Sequence, residues 1–123
     1  MNTLLGVLQI IRCLLRNELQ LKPLGRKASR VVNAYLDAHG IGYRRVEVWL
    51  GLAEPQFLSC LVFVANDGTK ARLEAEDQVP KLTERFRKAL LAVGYPSVAV
   101  SEIKVTVHSD EEIHRVGWYH YFK

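Results

Sequence analysis

From Phe57 to Ala65 the chain is nearly continuous in apolar side chains, through Phe57, Leu58, Cys60, Leu61, Val62, Phe63 and Val64. A run this short, rich in β-branched and aromatic residues, predicts a central strand covered on both faces, because strand neighbours point to opposite sides. The rest of the chain must supply that cover. With 123 residues, 49% of them hydrophobic and 24% charged, it has the composition of one folded domain spanning residues 1–123, without repeat or linker.

The neighbouring segments show both periods. Val46, Val48 and Leu50 alternate with Arg45, Glu47 and Trp49, which predicts a half-buried strand joined to the central one by a hairpin over Gly51–Pro55. Asn66-Asp67-Gly68 reads as a turn returning into a further strand over Thr69–Leu73. Val98–His108 reads as a long strand with Ala99, Ser101, Ile103, Val105 and Val107 inward, and Gly117–Phe122 as an aromatic terminal strand.

Helical spacing occupies the remainder. Leu4, Leu5, Leu8, Ile11, Leu14 and Leu15 form one stripe opposite Gln9, Arg12 and Arg16, with Asn2 or Thr3 as cap; covering the sheet is the expected fate of such a stripe, and lying on a membrane surface is the rarer alternative. Pro23 and Gly25 are read as a break before a second helix, Arg26–His39, stopped by Gly40. Val79, Leu82, Phe86, Ala89, Leu90 and Val93 mark a third, with Pro80 in its first turn, Glu84 set to pair with Lys88, and Gly94 at its end. Ser109 and Glu112 have capping-box spacing for a short helical turn. The expected class is α+β: an antiparallel or mixed sheet of four to five strands packed against about three helices on one side.

Charge is unevenly placed. Residues 1–45 carry Arg12, Arg16, Lys22, Arg26, Lys27, Arg30, Arg44 and Arg45 against Glu18 and Asp37, a surplus of +6, while residues 46–123 net −2. Lys22, Arg26, Lys27 and Arg30 gather at the start of the second helix, where the helix dipole adds to an anion-binding tendency. A basic third of this kind suits phosphate, an anionic membrane surface or an acidic protein. The uncharged N-terminal stretch ends at Arg12, short of the roughly 20 apolar residues of a bilayer span. It lacks the basic start and small-residue cleavage pattern of a signal peptide. Two cysteines, Cys13 and Cys60, are too few for a disulfide scaffold and lie in apolar runs, which fits a reducing cytoplasm and leaves one Cys13–Cys60 bridge open.

No pattern demands catalysis. His108, His114 and His120 recur every six residues, which matches neither a helix face nor the ligand loops of zinc sites, so no metal is expected. A general acid/base role for one of them beside Glu111 or Glu112 is chemically open but not required by spacing. Cys60, inside the most apolar run, reads as a buried thiol rather than a nucleophile, and no phosphate-cradling glycine motif surrounds Asp67-Gly68. No catalytic residue and no cofactor is expected.

The most unusual block is Ser109 to Phe122, with the acids Asp110, Glu111 and Glu112 followed by Trp118, Tyr119, His120, Tyr121 and Phe122. These aromatics cannot all enter one core from an extended strand, so part of them faces outward or lies under another element. Tyr and Trp beside acids are typical of protein-binding hot spots.

A helix ending in Gly94-Tyr95-Pro96, an alternating strand, a Ser-acid-acid turn and a closing Gly117-Trp118-Tyr119 resemble the small immunity proteins encoded beside bacterial polymorphic toxins, including contact-dependent growth inhibition systems. The resemblance covers about Lys81 to Lys123. It implies a non-enzymatic cytoplasmic protein that neutralises a cognate toxin domain, commonly a nuclease, by stoichiometric binding. Asp110, Glu111 and Glu112 would then mimic nucleic-acid charge while Trp118, Tyr119 and Tyr121 supply contact area. The rival expectation is a small nucleic-acid-binding module acting through Lys22, Arg26, Lys27 and Arg30.

Overall fold

The computed structural model describes residues 2–51 and 54–122 and, outside residues 2 and 13–18, their side chains. The elements run α1 (Asn2–Arg16), a π-helical turn (Asn17–Leu21), α2 (Lys22–Ala38), β1 (Arg45–Leu50), a 3-10 turn (Pro55–Phe57), β2 (Leu58–Val64), α3 (Asp67–Ala75), α4 (Gln78–Ala92), α5 (Ser97–Val100), β3 (Lys104–Ser109), α6 (Asp110–Val116) and α7 (Trp118–Tyr121). The class is α+β, as expected, but the counts differ: seven α-helical segments and a three-stranded mixed sheet in the order β1-β2-β3 among the described residues.

The apolar run does form the central strand. β2 pairs antiparallel with β1, Val48 opposite Cys60, and parallel with β3, Cys60 opposite Val105. Its two sides enter different clusters. Leu58, Cys60, Val62 and Val64 join Val48, Val105 and Val107 under α2 and α4, against Val32, Leu36, Leu82, Phe86 and Leu90. Leu61 and Phe63 point the other way and meet Ile113, Trp49, Tyr121 and Phe122. Helices α2 and α4 thus cover one face, and the C-terminal block covers the other.

Four expected segments come out differently. Thr69–Leu73 lies within α3, because Asn66 acts as an N-cap: its Oδ1 accepts the Thr69 backbone N–H at 2.8 Å and the Thr69 hydroxyl at 3.0 Å. The long strand over Val98–His108 is confined to Lys104–Ser109, since Ser97–Val100 is a helical turn following Pro96 that leaves Val98 exposed. Gly117–Phe122 is helical instead of extended, α7 following a Gly117 whose φ of 85° turns the chain. Pro23 and Gly25 do not break the chain. Pro23 sits in the first turn of α2, where a proline N–H is not needed.

Gly25 is a packing glycine. A Cβ there would lie 3.0 Å from Val48 Cγ1 and 3.1 Å from Leu58 Cδ1, so its absence lets α2 approach the sheet. Gly40 and Gly94 do end α2 and α4 with positive φ, and the Ile41 N–H to Leu36 and Tyr95 N–H to Leu90 bonds close both ends in the same Schellman manner. Glu84 and Lys88 pair at 3.1 Å, as their spacing predicts. Strands β1 and β2 pair antiparallel across the expected connection over Gly51–Pro55, of which residues 52 and 53 lie outside what is described, as do the Asn2 cap, the Cys13 thiol and the Leu14, Leu15 and Arg16 side chains.

Cys60 is a free, buried thiol, and burial pushes its pKa up to about 12. A thiol held protonated and out of solvent does not attack disulfides. In a Cys13→Ser background, Cys60 is therefore expected to react with an aromatic disulfide reagent only at the rate of unfolding. Rapid native-state labelling would contradict its placement.

Candidate functional site

The C-terminal cover is organised around β-strand register. Arg45, Phe63 and His108 lie side by side across the sheet, Arg45 opposite Phe63 and Phe63 opposite His108, all on the face away from α2 and α4. The Arg45 guanidinium carbon stands 3.9 Å from the Phe63 ring centroid, a cation–π contact. On this floor the rings of α7 and the residue after it assemble. Phe122 packs 4.9 Å from Trp49 and 4.6 Å from Trp118, and the Tyr121 hydroxyl bonds His108 Nδ1 at 2.8 Å. Thr106 Oγ1 holds the other imidazole nitrogen at 2.7 Å.

Tyr121 and Phe122 therefore anchor the segment, while Trp118 rests on Phe63 and Phe122 with half its surface open and Tyr119 keeps most of its surface open. Trp118 is 49% exposed and Tyr119 72% exposed. Trp118 also lines a cleft of about 580 Å³ with Arg44, Ala65, Asp110, Glu111, His114 and the buried Ile113. The cleft opens at the carboxyl ends of the parallel strands β2 and β3, where the chain enters α3 and α6.

The acidic triplet occupies the first turn of α6, capped by Ser109, whose Oγ accepts the Glu112 N–H at 3.3 Å. Its members are engaged locally. Asp110 pairs with Arg45 at 3.3 Å and Arg44 at 3.7 Å, and Glu112 with Lys70 at 3.6 Å. Glu111 accepts the Asp67 backbone N–H at 3.2 Å. Asp67 in turn meets Arg115 at 3.1 Å, and its carboxyl is held below the usual carboxylate range by the Ser109 hydroxyl and then by Arg115. The acids thus tie α6 to β1 and α3, with Asp110 and Glu111 in the cleft wall. Pairs this open to solvent on one or both sides contribute little stability singly, about 0–1 kcal/mol.

Of the residues singled out in sequence, the structure brings Asp110, Glu111 and Trp118 to one cleft. Tyr121 does not line it and sits against His108 and Phe122. Arg45 was missed by sequence reasoning. Its signal was the Arg44-Arg45 pair opening an alternating strand, which register places over Phe63 and against Asp110. The three histidines do not converge: His108 is partly buried on the sheet, while His114 and His120 are exposed. Among the described residues, no group of three or more His, Cys, Asp or Glu is arranged to hold a metal ion. Lys22 and Arg26 line a shallow groove along β1 with Glu47 and Trp49, whereas Lys27 and Arg30 stay on the exposed side of α2. No described helix is long and apolar enough to cross a membrane.

Burial, and then the Lys70 charge, lower the His108 pKa below 6.5, with Glu112 opposing. A depressed histidine pKa means that the unfolded chain binds the proton first, so this contribution to stability is full above about pH 6.5 and declines as pH falls towards the native value. Urea midpoints are expected to drop from about pH 7.5 to about pH 5.5, and the His108→Gln variant should show a shallower drop. Equal slopes in the two proteins would contradict the buried, neutral imidazole.

No family model, curated protein or solved structure matched the chain.

Proposed function

We propose that this chain is a cytoplasmic, non-enzymatic immunity protein that neutralises a cognate toxin domain by one-to-one binding through its C-terminal face. The observation that carries the reading is the outward display of Trp118 and Tyr119 on a helical turn whose next two aromatics are fixed to the sheet. Large rings carried on a helical turn fastened to the sheet, with Trp118 in the cleft wall, lose little conformational freedom on association, which is the property of interface hot spots. The sequence resemblance of residues 81–123 to immunity proteins supplies the kind of partner.

Geometry changes the part played by the acids. Asp110, Glu111 and Glu112 act mainly by positioning α6 and so the cleft wall, and Trp118 and Tyr119 provide most of the binding energy, with Tyr121 fastening their helical turn to His108. Long-range attraction between the acids and a cationic nuclease site remains as a contribution to association rate.

The test is to purify the chain with the toxin domain encoded by the adjacent upstream gene and to measure inhibition and mass. A complex of one copy of each, with toxin activity abolished at equimolar ratio, is the expected result. Full toxin activity in the presence of excess chain would refute the reading.

A further inference from the structure

Helix α1 does not do what its apolar stripe leads one to expect. The sheet face it was expected to cover is taken by α2 and α4, and α1 packs on the π turn that follows it and on no other element to a comparable extent. Six large apolar side chains, Leu4, Leu5, Val7, Leu8, Ile10 and Ile11, are each between 45% and 64% exposed. At about 100° per residue, Leu4, Val7, Leu8, Ile10 and Ile11 share one arc, while Gln9 and Arg12 fall outside it. Leu19, in the π turn, is exposed as well.

Charge indicates what would cover this arc. From Thr3 to Arg30 the charged residues are Arg12, Arg16, Lys22, Arg26, Lys27 and Arg30, with Glu18 the single acid. Arg26, Lys27 and Arg30 form no ion pair with a described residue. A second copy of α1 would set cations against cations with no acid on the helix to answer them. A nucleic acid would answer the cations and leave the leucines and isoleucines in water. A bilayer with anionic headgroups satisfies both, taking the apolar arc among its acyl chains and the bases at its surface. Helix α1 has 15 residues, about 22 Å of length, so it can lie in the interface but not span it.

We propose that α1 is an interfacial anchor that lies in the surface of an anionic membrane, with Arg12 on its polar side and the exposed Lys27 and Arg30 of α2 answering the headgroups. This goes beyond toxin binding and does not depend on it. The anchor and the Trp118–Tyr119 surface belong to different elements, so the chain can use both.

The experiment is co-sedimentation of the full chain with vesicles of phosphatidylcholine alone and of phosphatidylcholine mixed with phosphatidylglycerol. Binding to the anionic vesicles should be at least about ten-fold the tighter, and it should weaken with added salt. Leu8→Ser with Ile11→Ser should reduce binding about ten-fold or more without moving the thermal midpoint, since both side chains are exposed. Lys27→Gln with Arg30→Gln should reduce it by roughly five-fold for each base removed. Equal binding to the two vesicles, or none, would overturn the proposal. So would a concentration-dependent dimer abolished by the same serine substitutions while vesicles are ignored, or RNA binding indifferent to them with no vesicle binding. Tyr119→Ala should leave vesicle binding unchanged, which separates this test from that of toxin binding.

Discussion

Phe63→Ala is expected to lower the unfolding free energy by about 3–5 kcal/mol, the range for deleting a fully buried aromatic from a packed core. Phe63 is completely buried, and its ring is the floor on which Arg45, Trp118, Phe122 and His108 rest. Unlike the residues under α2 and α4, it belongs to a small cluster whose other buried members are Leu61 and Ile113, so little can collapse into the space left behind. The loss should fall first on the C-terminal cover. Near-ultraviolet circular dichroism from Trp49 and Trp118 should fade at lower urea than the helical signal of α2 and α4, whereas Phe86→Ala, on the other face, should move both signals together. Coincident early loss of both signals in Phe63→Ala would contradict a separately covered second face.

Tyr119→Ala has the second large effect, and it falls on binding. Because Tyr119 is 72% exposed, its truncation should change stability by no more than about 0.5 kcal/mol. Affinity for the toxin domain should drop by about 2 kcal/mol or more, roughly 30-fold, as expected for an aromatic hot-spot residue. Trp118→Ala should weaken binding as much while also lowering stability, since Trp118 packs on Phe122 at 4.6 Å. Replacing Asp110, Glu111 and Glu112 together by Ala should slow association and loosen α6 through the loss of the Arg45 and Lys70 pairs. The opposite ranking, with the acids outweighing Tyr119 in affinity, would return the energetic role to charge mimicry.

Strand faces were legible because period-two patterning survives whatever covers them. Val46, Val48 and Leu50 on one side and Arg45, Glu47 and Trp49 on the other are divided by the sheet as the alternation indicates, and β2 is sealed on both faces. The third helix and its Gly94 stop were equally plain. Asn66-Asp67-Gly68 was ambiguous in itself, since an Asn that favours a hairpin turn also caps a helix, and α3, whose one fully buried residue is Leu73, carries too weak a stripe to decide between them. The alternation across Val98–Ser101 was accidental, and Pro96 starts a helical turn there.

At the C-terminus a run of consecutive aromatics has no readable period, so helix and strand could not be separated by pattern. The sequence did indicate that part of the block faces outward or lies under another element; Trp118 and Tyr119 are exposed, while Tyr121 and Phe122 lie against the sheet. Sequence alone could not reveal that Asp110 and Glu112 are answered by Arg45 and Lys70, because those pairings depend on strand register and on α3 being a helix. The fate of the first helix was hidden for a different reason: an apolar stripe shows that something covers it, and nothing in the stripe says whether the cover is internal.

The central claim is that a partner docks on the surface formed by Trp118, Tyr119 and the adjoining cleft. Hydrogen exchange of the backbone amides, with and without the toxin domain, tests it most directly. New protection is expected over α6, α7 and the Arg44 and Ala65 positions that line the cleft, with α1 and the first turns of α2 exchanging as in the free chain. Protection confined to residues 2–30, with the C-terminal amides unchanged, would contradict it.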